Sequence, residues 1–101
     1  MPYWSPPWIG RFFYVGERRD RESQATKAYV LVTVRAGELR EVVKELRKIK
    51  GVTEAHVTFG PYDAVAVVEA EDLAALSDLT AGSIQPIPGV ERTLTCLAVD
   101  L

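Results

Sequence analysis

The sequence predicts an α+β domain of ferredoxin-like βαββαβ order, with a four-stranded antiparallel sheet carrying two helices on one face. Three observations predict it. Leu39, Val42, Val43, Leu46 and Ile49 recur at helical spacing opposite a charged face. Four runs rich in β-branched residues flank this helix and a second one rich in Leu and Ala. Ile49-Lys50-Gly51-Val52 and Ile87-Pro88-Gly89-Val90 form a weak internal repeat, each closing a helix and opening a strand. Two βαβ halves with right-handed crossovers produce that pattern.

In order, Lys27 to Arg35 contains Tyr29, Val30, Val32, Thr33 and Val34 and reads as the first strand, ended by Gly37. The first helix follows, with acidic residues early and basic residues late, as the helix dipole favours, and Gly51 as its stop. The second strand spans Val52 to Phe59 and the third Tyr62 to Ala70. Between them Gly60-Pro61-Tyr62-Asp63 has the chemistry of a hairpin turn, because Gly frees the backbone, Pro fixes φ and Asp bonds locally. Glu71-Asp72 opens the second helix, which carries Leu73, Leu76 and Leu79 and ends at Gln85-Pro86-Ile87-Pro88. The fourth strand runs from Glu91 to Val99.

A chain of 101 residues suits one domain with a real core. Its net charge of −2 argues against a nucleic-acid footprint, which needs Lys and Arg to dominate one face. The single Cys96 excludes an internal disulfide and a cysteine-rich metal site, consistent with a cytoplasmic protein. No stretch approaches the ~20 apolar residues of a spanning helix, so no membrane partner is expected.

Residues 1–26 read as an N-terminal extension and linker. Six of the nine aromatics, Tyr3, Trp4, Trp8, Phe12, Phe13 and Tyr14, are interleaved with Pro2, Pro6 and Pro7. Pro interrupts the apolar run that a signal peptide requires. Gly16 to Thr26 alternates arginines with acids and reads as a solvated linker or frayed helix. The aromatic head is either a loosely specified extension or an arm that buries its rings on a neighbouring subunit.

Strand alternation carries information about partners. In the first strand Ala28, Val30, Val32 and Val34 oppose Tyr29, Leu31, Thr33 and Arg35. In the third, Ala64, Ala66 and Val68 oppose Val65 and Val67; in the fourth, Leu94, Cys96 and Ala98 oppose Leu97 and Val99. Both faces are apolar, whereas a sheet covered by helices on one side shows polar residues on the other unless that side is buried too. The expected solution is a homodimer packed sheet on sheet, a dimeric α+β barrel.

The order of elements, Gly51-Val52, Gly60-Pro61-Tyr62-Asp63 with Val67 and Glu69 downstream, and Pro88-Gly89-Val90 followed by Thr93 and Thr95, together resemble the ligand-binding (RAM) domain of the leucine-responsive regulator/AsnC family. The resemblance covers residues 27–101. It implies a regulatory rather than catalytic role, dimers assembling into rings, and small-molecule effectors, commonly amino acids, held where dimers meet near the hairpin. Gly60, Tyr62 and Asp63 match the effector-loop motif, and Thr93 and Thr95 join them in the implied site. Full-length members carry a helix-turn-helix domain, for which residues 1–26 cannot supply three packed helices. The resemblance therefore implies a stand-alone form, without direct nucleic-acid binding, that modulates transcription by assembling with DNA-binding relatives.

The residues support such a site on chemical grounds. A zwitterion needs an acceptor for its ammonium, donors for its carboxylate and an apolar wall. Asp63, backbone N–H groups around the Gly turn and Tyr62 can supply these, although Asp63 can equally serve only to stabilise the turn. His56 has no neighbouring ligand pattern, so neither metal nor cofactor is expected, and Cys96 reads as a buried structural thiol. Arg35, Arg40 and Arg47 read as solvated rim charges. Two alternatives share the fold class: an ACT-like amino-acid sensor, and a small dimeric ferredoxin-like enzyme of the monooxygenase or isomerase type. The latter needs a base in a cavity between sheet and helices, where the pattern gives Val, Ala and Leu.

Overall fold

A computed structural model describes residues 25–100. The aromatic head and most of the charged linker expected over residues 1–26 lie outside the described residues. The elements are β1 (Thr26–Val34), α1 (Leu39–Lys48), β2 (Val52–Val57), β3 (Ala64–Ala70), α2 (Leu73–Leu79) and β4 (Val90–Leu97), with a π-helical turn, Thr80–Ile84, continuing α2. This is the expected βαββαβ order. All pairings are antiparallel, in the spatial order β2-β3-β1-β4.

Period-two alternation divides the sheet. Ala28, Val30, Val32, Ala55, Ala64, Ala66 and Val68 point to one side and are almost fully buried. Against them α1 places Val42, Val43 and Leu46, while α2 and its π turn place Leu76 and Ile84. Each large side chain buried here stabilises the fold by about 1.5–3 kcal/mol. Small residues on the strands, Ala28, Ala55, Ala64 and Ala66, let the helices approach closely. Asp72 caps α2 as its sequence position suggests, its Oδ1 accepting from the Ala75 N–H at 2.8 Å.

The sequence repeat is a structural one. Val52 N–H donates to the Ile49 carbonyl and Val90 N–H to the Ile87 carbonyl, both at 3.1 Å. In each turn the third residue is glycine at positive φ, +104° at Gly51 and +100° at Gly89. That is the type II turn requirement, and Pro88 occupies the position where such turns favour proline. Gly89 is constrained further, because a Cβ there would lie 2.6 Å from Glu38 Oε1 and 3.0 Å from Val42 Cγ2.

Three expectations change in detail. β2 ends at Val57 rather than Phe59 and β3 begins at Ala64 rather than Tyr62, because Thr58 and Asp63 bond across the loop instead of extending the ladder. The second helix changes to π geometry after Leu79, with Thr80 Oγ1 donating to the Leu76 carbonyl at 3.0 Å. Cys96, expected to be buried, is exposed on the side of the sheet away from the helices.

That open face has an apolar centre and a polar margin. The strand register places Tyr29, Leu31, Val65, Val67, Leu94 and Cys96 together on it. Around them stand Lys27, Glu69, Glu54, His56, Thr33 and Arg92. Lys27 Nζ lies 5.5 Å from the Tyr29 ring centroid, a cation-π distance. Tyr29 and Leu94 keep 41% and 46% exposure in the single chain, so the patch is available to a partner.

Candidate functional site

The hairpin loop between β2 and β3 is closed by its own hydrogen bonds. Thr58 N–H donates to the Asp63 carbonyl at 3.0 Å, and Thr58 Oγ1 donates to the Tyr62 carbonyl at 2.8 Å. Gly60 forms the tip at φ +136°, with open space where a Cβ would stand. Phe59 beside it is fully exposed.

Asp63 ties this loop to β1. Its N–H donates to the Val32 carbonyl at 2.9 Å, and its Oδ2 accepts from the Val34 N–H at 2.7 Å. The β1–β4 register shifts between Thr33 and Val34, and the carboxylate takes the amide just after that shift. The side chain thus continues the β1–β3 ladder where β3 has already turned away.

The five sequence-selected residues do not all converge. Tyr62 and Thr93 line one hollow of about 410 Å³ together with Thr33, Pro61, Arg92 and Leu94. Gly60 stands at the loop tip, and the bonded oxygen of Asp63 points at the β1 backbone. Thr93 shares the helix-side register with Val32, and its Oγ1 accepts from Gln85 Nε2 at 3.3 Å. Thr95, two residues on, belongs to a separate groove of about 340 Å³ between α2 and β4, with Leu73, Ser77, Thr80, Gln85 and Leu97.

Sequence reasoning missed Arg92 and Thr33. They are direct cross-strand partners at the margin of the open face, with Thr33 Oγ1 3.5 Å from the Arg92 carbonyl. Arg92 is exposed and makes no ion pair with another described residue. A guanidinium offers a rigid fork of donors suited to a carboxylate. The signal was available in the alternation of β4, which puts Arg92 on the same side as Leu94 and Cys96.

Other chemistry is sparse. His56 Nε2 lies 3.0 Å from Glu54 Oε1 on the exposed edge strand. Among the described residues no three of His, Cys, Asp and Glu gather as metal ligands, and no helix is long and apolar enough to cross a membrane.

Comparison with known proteins places this geometry in a family. The family model for the Lrp/AsnC ligand binding domain matches residues 27–100. The chain belongs to the Lrp/AsnC ligand-binding domain family. A curated Lrp/AsnC relative, the HTH-type transcriptional regulator FL11 of Pyrococcus horikoshii, is 35% identical over 72 residues, which are 71% of this chain and 47% of that protein. The chain thus spans about half the length of the curated relatives it matches. TTHA0845 from Thermus thermophilus is 33% identical with a TM-score of 0.72, over 75% of this chain and 95% of that one. The transcriptional regulator NMB0573 of Neisseria meningitidis, solved as its L-Met complex, shares the fold with a TM-score of 0.72. Its identity is 16%, covering 99% of this chain and 60% of that one. Homologues of this Lrp/AsnC domain are thus named as regulators of transcription.

Proposed function

We propose that this Lrp/AsnC domain is an amino-acid-binding, oligomer-forming regulatory module that acts on transcription by assembling with DNA-binding relatives in the cytoplasm. The observation that carries the reading is the open sheet face. Its apolar centre of Tyr29, Leu31, Val65, Val67, Leu94 and Cys96 is covered by neither helix, and packing against the same face of a second copy would bury it.

In such a dimer the hairpin and Arg92 sit at the rim. Residues 27–101 then form the effector-binding unit, with Gly60, Tyr62, Asp63, Thr93 and Thr95 contributing to its sites. The 410 Å³ hollow suits the polar end of a small zwitterion: Arg92 takes the carboxylate and Tyr62 covers the ligand. The apolar groove holding Thr95 suits an aliphatic side chain better than a charge. Exposed Phe59 at the hairpin tip supplies an apolar contact for a further dimer, consistent with a ring. The L-Met complex of NMB0573 is a precedent on the same fold for an amino-acid ligand.

The reading is regulatory, in line with the relatives named as transcriptional regulators. Sedimentation velocity across a concentration series, paired with calorimetric titration of the twenty amino acids, tests it. A stable monomer at micromolar concentration defeats the assembly role. Absence of heat with every amino acid defeats the effector role.

A further inference from the structure

The outer surface of α1 carries its charges in separate stripes. At about 100° per residue, Arg40, Lys44 and Arg47 fall within about 60° of one another, while Glu38, Glu41 and Glu45 lie roughly 130° round the helix. Like charges four residues apart, as at Arg40 and Lys44, weaken a helix by about 0.2–0.5 kcal/mol, so although Arg47 in the last turn suits the helix dipole, helix stability does not explain the pairing of Arg40 with Lys44. Two of the acids are already taken: Glu38 pairs with Arg35 at 2.9 Å and Glu45 with Lys48 at 3.3 Å. Arg40, Lys44 and Arg47 make no ion pair with another described residue.

The stripe borders a groove of about 440 Å³ between α1 and the edge strand β2, with Leu39, Val43 and Val57 as its apolar lining. Val57 is 51% exposed there, although Ala55, two residues earlier on the same strand, is buried. Arg47 is held in place, its Nε and Nη2 donating to the Ala55 carbonyl at 2.9 and 2.7 Å. Those bonds satisfy an edge-strand carbonyl and fix a guanidinium at the groove wall without neutralising it.

We propose that this groove docks an acidic amphipathic segment of a partner protein. An apolar side chain enters between Val43 and Val57, and flanking carboxylates meet Arg40 and Arg47, whose Cα atoms are separated by about 10 Å along the helix. An extended Glu-x-Leu-x-Glu strand presents these three side chains on one face, with the leucine between two carboxylates about 13 Å apart, a span the long Arg40 and Arg47 side chains can meet. Charge complementarity and the apolar lining favour such a segment over nucleic acid. Phosphate binding asks for a broader basic face than three side chains on a chain of net charge −2.

The test uses a short fluorescein-labelled peptide repeating Glu-Ser-Leu-Ser, which puts glutamate and leucine on one face of a strand, titrated with the full chain at low and moderate salt and read by anisotropy. A lysine-leucine peptide and a short DNA duplex serve as controls. Saturable binding is expected for the acidic peptide alone, weakening as salt rises and falling at least about tenfold in Arg40→Glu/Lys44→Glu. Both substituted residues are exposed, so an unchanged melting curve is expected for this variant. Amide NMR shifts on the unsubstituted protein give a second readout and should centre on Arg40, Val43 and Val57. No saturable binding, equal affinity in the double variant, or shifts centred elsewhere would overturn the proposal. So would preferential DNA binding, or a drop in oligomer mass in the double variant, which would make the groove a contact between copies.

Discussion

Asp63 Oδ2 accepts a 2.7 Å hydrogen bond from the backbone N–H of Val34, a residue 29 positions earlier in the chain. The bond makes the hairpin acid a structural tie as well as a candidate ligand group. Asp63→Ala leaves the Val34 amide without its partner, and loss of a partly buried bond to a charged acceptor costs about 1–3 kcal/mol. Urea denaturation should show that loss, with Asp63→Asn recovering part of it through its carbonyl oxygen. An alanine variant as stable as the parent would show that water replaces the carboxylate and that the tie is dispensable. Effector affinity in either variant has to be read alongside this stability change, since a displaced hairpin also moves Tyr62.

Gly89 and Gly60 both occupy positive φ but differ in surroundings, which separates backbone strain from crowding. At Gly89 a Cβ would lie 2.6 Å from Glu38 Oε1 and 3.0 Å from Val42 Cγ2, whereas at Gly60 nothing lies within 4 Å. Gly60→Ala should therefore cost backbone strain alone, about 1–3 kcal/mol at its φ of +136°. Gly89→Ala adds crowding against the Glu38 and Val42 side chains to a similar strain and should cost about 1–3 kcal/mol more than Gly60→Ala. Thermal denaturation of the two variants checks the order; equal losses would mean that Glu38 and Val42 move aside freely.

Local chemistry made most of the fold legible. Leu39 to Ile49 declares a helix, Asp72 declares its cap, and Ile-x-Gly-Val declares the same turn twice. What failed was set by hydrogen-bond exchanges and face assignments that residue type and periodicity do not report. β2 stops at Val57 because Thr58 turns to Tyr62 and Asp63, and no nearest-neighbour pattern reports that exchange. The π turn after Leu79 was equally hidden, since the Thr80 hydroxyl bond to the Leu76 carbonyl leaves no local mark in the sequence. The strand of Cys96 is apolar on both faces, so its pattern alone suggests an interior thiol, while burial within the chain depends on which face the helices cover. The candidate site was read through its turn residues, which are local. Arg92 was missed because its importance comes from standing opposite Thr33 across a register shift.

The open face makes a prediction about assembly. Leu31 and Leu94 are cross-strand partners at its centre, flanked by Tyr29, Val65 and Cys96. Leu94→Lys places a charge in the middle of any sheet-on-sheet interface. Burying it unpaired costs several kcal/mol, enough to shift a dimer's dissociation constant by about a hundredfold or more. Because Leu94 is 46% exposed in the single chain, the protomer itself should stay folded. Sedimentation should show a smaller species with unchanged far-ultraviolet dichroism. Retention of the parent mass would move the interface elsewhere, for example to the strand edges, as in an ACT-like pairing.

Arg92 gives the sharpest test of ligand chemistry, because it is exposed and its loss leaves no buried partner behind. If its guanidinium holds the effector's carboxylate, Arg92→Gln removes a charge-assisted bond worth about 1.5–3 kcal/mol and weakens binding roughly ten- to hundredfold. Arg92→Lys should recover only part of the affinity, since an ammonium keeps the charge and loses the planar fork. Comparing each amino acid with its methyl ester closes the argument. The parent should discriminate strongly against the ester, which lacks the carboxylate charge, while Arg92→Gln should bind acid and ester with similar, weak affinity. Discrimination that survives in Arg92→Gln would assign the carboxylate to the backbone amides of the hairpin loop, leaving Arg92 as a rim charge of the sheet.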